Sequence, residues 1–470
     1  MSDTYTITDV SDRAPRKQEF WPTLIVPRAA IDAEIERLAS IARPSSGRRA
    51  AAISHPSNKS PVPAFAPGID VTLEVLKPGE ESAPVARNST MVDMCIRGAG
   101  TARIGARSFG VERFDVWNTP SMDPTSYRND GSDLFVRMSY SNAPLLEKLE
   151  VHYVDTSPTM IEDAGKPADP AQKRARDLAE SIDLGAEGAR LLGYEYLVDI
   201  DTVEWKPLLW KWTDVEPHLE KVYARDKRYT GRHLYLLYNP ATERRMGTSP
   251  CFFATIARYP PDKLDLPHRH VSAAINYYFV GHGRSNVMGK KLEWEAGDLH
   301  LSAPGWAVHN HGSRENGFCA LTIQDHPLHI AMDSLLWQET LQAPILKLGS
   351  QKGFETNLTA LETALARPTC ATRSATSTTR SPTSSTTTAS RRCPATSSTT
   401  ASTGSRLART TTAACRAGSC TATASRCCAT ASSPSARRRS TSRARGGISS
   451  AACASSASRA TRSARVRTCW

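Results

Sequence analysis

Residues 267–283 read Pro267-His-Arg-His-Val-Ser-Ala-Ala-Ile-Asn-Tyr-Tyr-Phe-Val-Gly-His-Gly283, and residues 84–100 read Pro84-Val-Ala-Arg-Asn-Ser-Thr-Met-Val-Asp-Met-Cys-Ile-Arg-Gly-Ala-Gly100. The two align without a gap, with the proline and both glycines in register, so the chain carries an internal repeat. Further on, Phe114-Asp-Val-Trp-Asn-Thr-Pro120 parallels Gly297-Asp-Leu-His-Leu-Ser-Ala-Pro304 with one gap, and Asn129-Asp-Gly-Ser132 parallels Asn310-His-Gly-Ser313. Turn residues survive such a duplication because the backbone needs them. From about Val71 to Tyr140, and again from about Cys251 to His329, short β-rich runs alternate with Gly, Pro, Asn and Asp. That pattern predicts two antiparallel barrels or jelly rolls.

The copies differ where chemistry would sit. Two histidines separated by one residue on a strand point to the same face, so His268 and His270 can share one metal ion. His309, from a neighbouring strand, would complete a facial set of three imidazoles and leave the opposite side open for water, oxygen or substrate. In the first copy Val85 and Arg87 stand where His268 and His270 stand, and the Asn129 match puts Arg128 opposite His309. Valine and arginine offer no lone pair. The first barrel is therefore expected to be metal-free. Eight of the twelve histidines fall between His268 and His329. Of these, His282, His300, His326 and His329 read as structural or cavity-rim residues.

Around the repeats, the chain divides into a helical N-terminal segment (1–60), a degenerate barrel (61–155), a helical connector (156–230), a metal-binding barrel (231–350) and a low-complexity tail (368–470). In residues 24–42, Pro27 falls at a plausible first helical position, with Ile31, Ile35, Leu38 and Ile41 at helical spacing. The strongest connector helix is expected over Pro170 to Leu192. Arg244-Arg245 and Lys290-Lys291 read as solvent-facing basic pairs.

Net charge is +12, but the average misleads. The tail from Pro368 holds seventeen arginines and no lysine or acid, so the first 367 residues carry a net −5. The tail's Ser, Thr, Ala, Arg, Cys and Pro alphabet cannot build a core and is expected to be disordered. A GC-rich gene read out of frame from near residue 368 would produce it. The functional alternative is an arginine-rich nucleic-acid tail with steep salt dependence. In the body, Cys95, Cys251 and Cys319 are scattered, which fits a reducing cytosol rather than a disulfide framework. The start lacks a signal-peptide pattern and no stretch approaches eighteen apolar residues. A soluble cytoplasmic protein follows, with no nucleic-acid or membrane partner.

The His268-Arg-His270 pair, followed by Gly297-Asp298, Pro304 and then His309, resembles the two motifs of the cupin superfamily, and the repeat makes the chain resemble a bicupin. Ala274, where many cupins place a glutamate ligand, and His309-Asn-His311-Gly312 resemble the gentisate 1,2-dioxygenase and 1-hydroxy-2-naphthoate dioxygenase group. The resemblance implies a mainly β fold of two jelly-roll barrels and Fe(II) held by His268, His270 and His309. His311 would orient or deprotonate a phenolic hydroxyl. It implies ring cleavage of a hydroxylated aromatic with O2 in a homo-oligomer, a dimer or tetramer. That group carries an arginine where Asn276 stands here, which turns the expectation from gentisate toward a hydroquinone or a salicylate-type ring, with Arg232 the candidate to supply the charge. Trp306, Gln324 and Asp325 are further candidates for the cavity, Trp306 with barrel packing as its alternative. The rival readings are a Mn²⁺ or Zn²⁺ cupin isomerase or lyase, and a non-enzymatic small-molecule-binding bicupin.

Overall fold

The computed structural model describes residues 5–17, 19–158, 182–184, 187–191, 203, 205–224 and 232–349. The tail lies outside them, as does most of Pro170 to Leu192. Within that expected helix, Ile182–Asp183 instead pairs antiparallel with Arg190–Leu191. Gly188 lies between those strands with φ of 82°, a conformation that turns the chain and that a helix interior does not tolerate.

The β-rich runs between turn residues form two antiparallel barrels as expected, their inner strands Phe135–Ser141 and Leu299–Ala303 buried along their whole length. In the first, the sheet order is Leu209–Trp210, Val116–Thr119, Met91–Arg97, Phe135–Ser141, Asp70–Leu76, Arg49–Ile53. A second sheet, of Arg107–Glu112, Ala99–Ile104 and Thr125–Arg128, packs across it through Cys95, Ile104, Val111, Trp117, Tyr127 and Phe135. In the second barrel the order is Leu24–Val26, Leu299–Ala303, Ala274–Val287, His309–Gln324, Phe253–Tyr259, Leu234–Leu236, with Lys290–Glu295 added to Ala274–Val287. The smaller sheet there joins Arg269–His270, Leu336–Gln338 and Leu346–Lys347. The fold is mainly β, two antiparallel barrels in tandem, as the repeat predicts.

The barrels exchange edge strands. Leu24–Val26, at the start of the chain, pairs with Leu299–Leu301 of the second barrel. Leu209–Trp210, which precedes the second barrel, pairs with Val116–Trp117 of the first. Each exchanged strand leads into a helix, Arg28–Ser40 and Trp212–Tyr223 respectively. The duplicated unit is thus larger than the aligned motifs, and the helical N-terminal segment also carries one of the two exchanged strands. Ile31, Ile35, Leu38 and Leu219 join one core with residues of both barrels, among them Val92, Met138, Ile275 and Leu321. Pro27 caps the first helix from outside instead of opening it, and Ile41 lies beyond its end, partly exposed, because the chain is already extended there.

Two equivalent glycines explain why the repeat kept them. Gly98 and Gly281 both have φ of 75°, and a Cβ would lie 2.1 Å from the Leu134 carbonyl oxygen or 2.0 Å from that of Gly317. Among the described residues, no helix is long and apolar enough to cross a membrane.

Candidate metal centre

His268 and His309 face each other across an isolated antiparallel bridge, and His270 follows on the short strand Arg269–His270. One potential ligand atom from each of the three imidazoles lies within 4.8 Å of the others. All three are buried. Their orientation comes from the backbone: Nδ1 of His268 lies 3.1 Å from the Leu266 carbonyl, Nδ1 of His270 is 2.9 Å from that of Ser272, and Nδ1 of His309 is 2.9 Å from that of Ala307. A carbonyl only accepts, so each Nδ1 carries the ring proton and each Nε2 keeps its lone pair. Burial pushes all three below the ordinary histidine range, His309 to about 4, and the neighbouring imidazoles and Arg232 push His268 and His270 further. Three neutral nitrogen donors that converge from preset rings fit a divalent metal.

Around them lies a cavity of about 410 Å³. Its apolar lining includes Leu234, Phe253, Phe318 and Leu335. Ala274 is also in this wall, so no carboxylate stands at that position. Of the residues expected from the sequence, His311, Asn276, Arg232 and Gln324 line the cavity with His268 and His309. Gln324 Nε2 is 3.4 Å from His270 Nε2, on the coordinating face. His311 Nδ1 is 2.7 Å from Ser285 Oγ, which accepts from Trp294 Nε1 at 2.9 Å.

Trp306 and Asp325 are not brought into this wall. Trp306 lies under the Arg269 guanidinium at 4.6 Å. Asp325 precedes the short helix His326–Ala331, where its carboxylate accepts from the Ala273 backbone at 2.8 Å and faces a different cavity. His326, read as a rim residue, instead lines the same cavity and is linked through Ser272 to His270. Ser272 Oγ lies 2.9 Å from His270 Nδ1 and 2.8 Å from His326 Nδ1. Since His270 donates, the serine proton goes to His326. The sequence reading also missed Arg245, which lines the cavity rather than only meeting solvent, and Trp337, which stacks on His270 at 5.1 Å. Trp337 arrives from a strand 67 residues away, and no local spacing signals it.

The first barrel shows what fills such a space when ligands are absent. Val85 bridges Thr125 there, as His268 bridges His309, so Thr125 and not Arg128 is the counterpart of His309. Arg128 bridges Glu81, where Gly312 bridges Leu264, so the Asn-x-Gly-Ser match was three residues out of register. The interior holds Arg137, which pairs with Glu74 and, at 2.6 Å, with Asp93. Arg48 also pairs with Glu74. Burial pushes Glu74 up, but Arg137 and Arg48 outweigh it and hold it at about 2. Glu74 is cross-strand from Arg137, and the corresponding pair in the second barrel is Ala257 and Ala320, both in the cavity wall. The cavity beside Arg137 is about 10 Å³. Among the described residues, the histidine trio is the metal-ligand cluster found.

No family model matches the chain, and no curated protein matches it in sequence. Among solved structures, salicylate 1,2-dioxygenase from Pseudoaminobacter salicylatoxidans is similar. A single-residue variant of that enzyme in complex with gentisate superposes with a TM-score of 0.57 at 15% identity, covering 71% of this chain and 90% of the other. Another structure of the enzyme gives 0.56 at 15% identity over 70% and 92%. At this identity the likeness establishes the fold.

Proposed function

We propose that the second barrel is an Fe(II)-dependent dioxygenase that opens the ring of a hydroxylated aromatic with O2. One observation carries the reading: three neutral imidazoles with a ligand atom of each within 4.8 Å of the others, with no carboxylate at position 274, beside a largely apolar cavity that His268 and His309 line. The trio alone suits Fe²⁺, Mn²⁺ or Zn²⁺. The similarity of motifs and fold to gentisate-type enzymes favours iron. When bound, the ion would supply a site where an anionic hydroxylated ring and O2 meet. His268, His270 and His309 would hold it and contribute no charge, which favours an anionic ligand. His311 would orient the phenolic hydroxyl and exchange its proton through Nε2, its Nδ1 being held by Ser285. Asn276 and Gln324 would set the ring's position, with Arg232 in the same wall, while Phe253 and Phe318 exclude water. Trp306 and Asp325 are left without a part in this step. Free Cys95, Cys251 and Cys319 fit a reducing cytoplasm. We also propose that the exchanged strands stabilise the protomer of a homo-oligomer.

The test is anaerobic loading with Fe²⁺ followed by oxygen uptake against hydroxybenzoates and hydroquinones. Stoichiometric uptake with loss of ring absorbance is expected. Turnover with Mn²⁺ in the absence of O2 would reject the dioxygenase in favour of an isomerase or lyase.

A further inference from the structure

Polar groups in the wall beside the histidines restrict which substituents a bound ring can carry. The Arg232 guanidinium, through Nη1 and Nη2, donates to both carboxylate oxygens of Glu339 at 3.1 and 3.2 Å, and its carbon lies 5.2 Å over the Trp337 ring. Trp337 Nε1 donates to the same carboxylate at 2.8 Å, and the indole stacks on His268 and His270. Arg232 is the arginine whose charge reaches His268, His270 and His309; Arg245 adjoins Met246, which is 61% exposed. Arg232 therefore already holds a carboxylate in its fork. A ring carboxylate that sought it would have to displace Glu339 and leave that acid desolvated beside Trp337.

Asn276 supplies an independent observation. Thr23 Oγ1 donates to the Leu301 carbonyl at 2.9 Å, so it accepts from His300 Nε2, also at 2.9 Å. The single proton of neutral His300 is then on Nε2, and Nδ1 accepts from Tyr278 Oη at 3.4 Å. Tyr278 Oη in turn accepts from Asn276 Nδ2 at 3.0 Å. The chain ends at a backbone carbonyl, which sets the His300 tautomer, and Tyr278 Oη accepts the Asn276 amide whether its own proton goes to His300 or to Ser285. Asn276 Oδ1 is left buried, with no hydrogen-bond partner among the described residues. A buried acceptor of this kind wants a donor, and a carboxylate would set a second acceptor against it.

We propose that the cavity takes a hydroxylated ring without a carboxylate next to the metal-binding hydroxyl, a hydroquinone or catechol with an apolar substituent. Asn276 Oδ1 accepts from a ring hydroxyl, and Glu339 is the specificity residue that keeps carboxylates from Arg232. This rests on the ring-cleaving reading above. Leu234, Phe253, Phe318, Ile330 and Leu335 in the same cavity give the apolar substituent its surroundings.

Methylhydroquinone and gentisate share a 1,4-dihydroxy ring and differ by a methyl against a carboxylate, so they are the probes. Both are titrated calorimetrically under argon into Zn²⁺- and Fe²⁺-loaded protein. Wild type is expected to bind methylhydroquinone at least about tenfold more tightly than gentisate. Glu339→Gln should move that ratio toward gentisate by at least about tenfold, and Asn276→Leu should weaken methylhydroquinone about tenfold at unchanged metal content. Wild type that prefers gentisate, or a ratio that Glu339→Gln leaves unchanged, overturns the proposal. If Glu339→Gln does not fold, the wild-type ratio and Asn276→Leu decide. Failure of both probes to bind, with no oxygen uptake for any ring in the panel, removes the ring-cleaving reading and this inference with it. Uptake confined to carboxylated rings removes this inference alone.

Discussion

His268 and His309 exchange both backbone hydrogen bonds across one antiparallel bridge, at 3.1 and 3.0 Å, and their rings lie 4.3 Å apart. The backbones of two of the three donors are thus fixed to each other by main-chain pairing. His268→Ala should then leave a folded protein that has lost metal. Because loss of a residue behind a ligand already costs 10- to 100-fold, removal of the ligand itself is expected to cost more than about 100-fold in Fe²⁺ or Zn²⁺ affinity. Competition against a chromophoric chelator under argon measures it, and an unchanged affinity would sink the metal assignment.

Ser272 offers a finer test. Its hydroxyl links His270 to His326, but the Ser272 carbonyl also accepts from His270 Nδ1, and that bond survives a side-chain change. Ser272→Ala is therefore expected to weaken metal binding by only about tenfold, the low end for such a partner. A loss as large as that of His268→Ala would mean that the carbonyl contributes little to the orientation of His270.

These placements divide by range along the chain. His268 and His270 were legible because period-two geometry is local, and His309 because a glycine and proline framework precedes it. The duplication was legible for the same reason: Gly98 and Gly281 meet the same carbonyl obstruction. The counterpart of His309 was misplaced because Asn129-Asp-Gly-Ser132 looks like Asn310-His-Gly-Ser313 as a string, whereas register follows from strand pairing through Thr125. Glu74, Asp93 and Arg137 come from three separate strands and Arg48 from the loop just before a fourth, and only closure of the barrel turns four scattered charges into one buried network. Leu24–Val26 is three residues long, too short to show period-two alternation, and its partner strand is some 275 residues away.

Arg137 should matter to stability without mattering to the metal. Arg137→Met leaves Asp93 and Glu74 buried, Asp93 with its arginine gone and Glu74 with Arg48 alone. Removing one partner of a buried pair costs about 3–5 kcal/mol. Urea unfolding should show a loss of that order, partly recovered when Asp93→Asn is added. Metal affinity in the folded fraction should match wild type, since the network lies in the other barrel and distant sites act independently. A change in metal affinity comparable to that of Ser272→Ala would show that the two barrels are coupled.

The imidazoles should also set the acid response of the metal-free protein. Burial lowers His300 and His326 to about 3 and His309 to about 4, from an ordinary value near 6.5. The unfolded chain binds protons at these rings below about pH 6.5 while the folded chain does not, so their stabilisation is full above that pH and is lost as pH falls toward the folded values. Asp70, raised by burial to about 7, and Asp123 and Asp265, raised to about 6, act in the opposite sense and lose stability as pH rises. A single-residue comparison separates the two sets. His326→Gln removes one depressed imidazole, and between pH 6.5 and 4 it should lose on the order of 3 kcal/mol less unfolding free energy than wild type, at about 1.4 kcal/mol per pH unit. Urea titrations of chelator-treated protein across that range provide the test. Parallel curves for the two proteins would mean that His326 takes up its proton while folded, and that its bond to Ser272 does not hold it neutral.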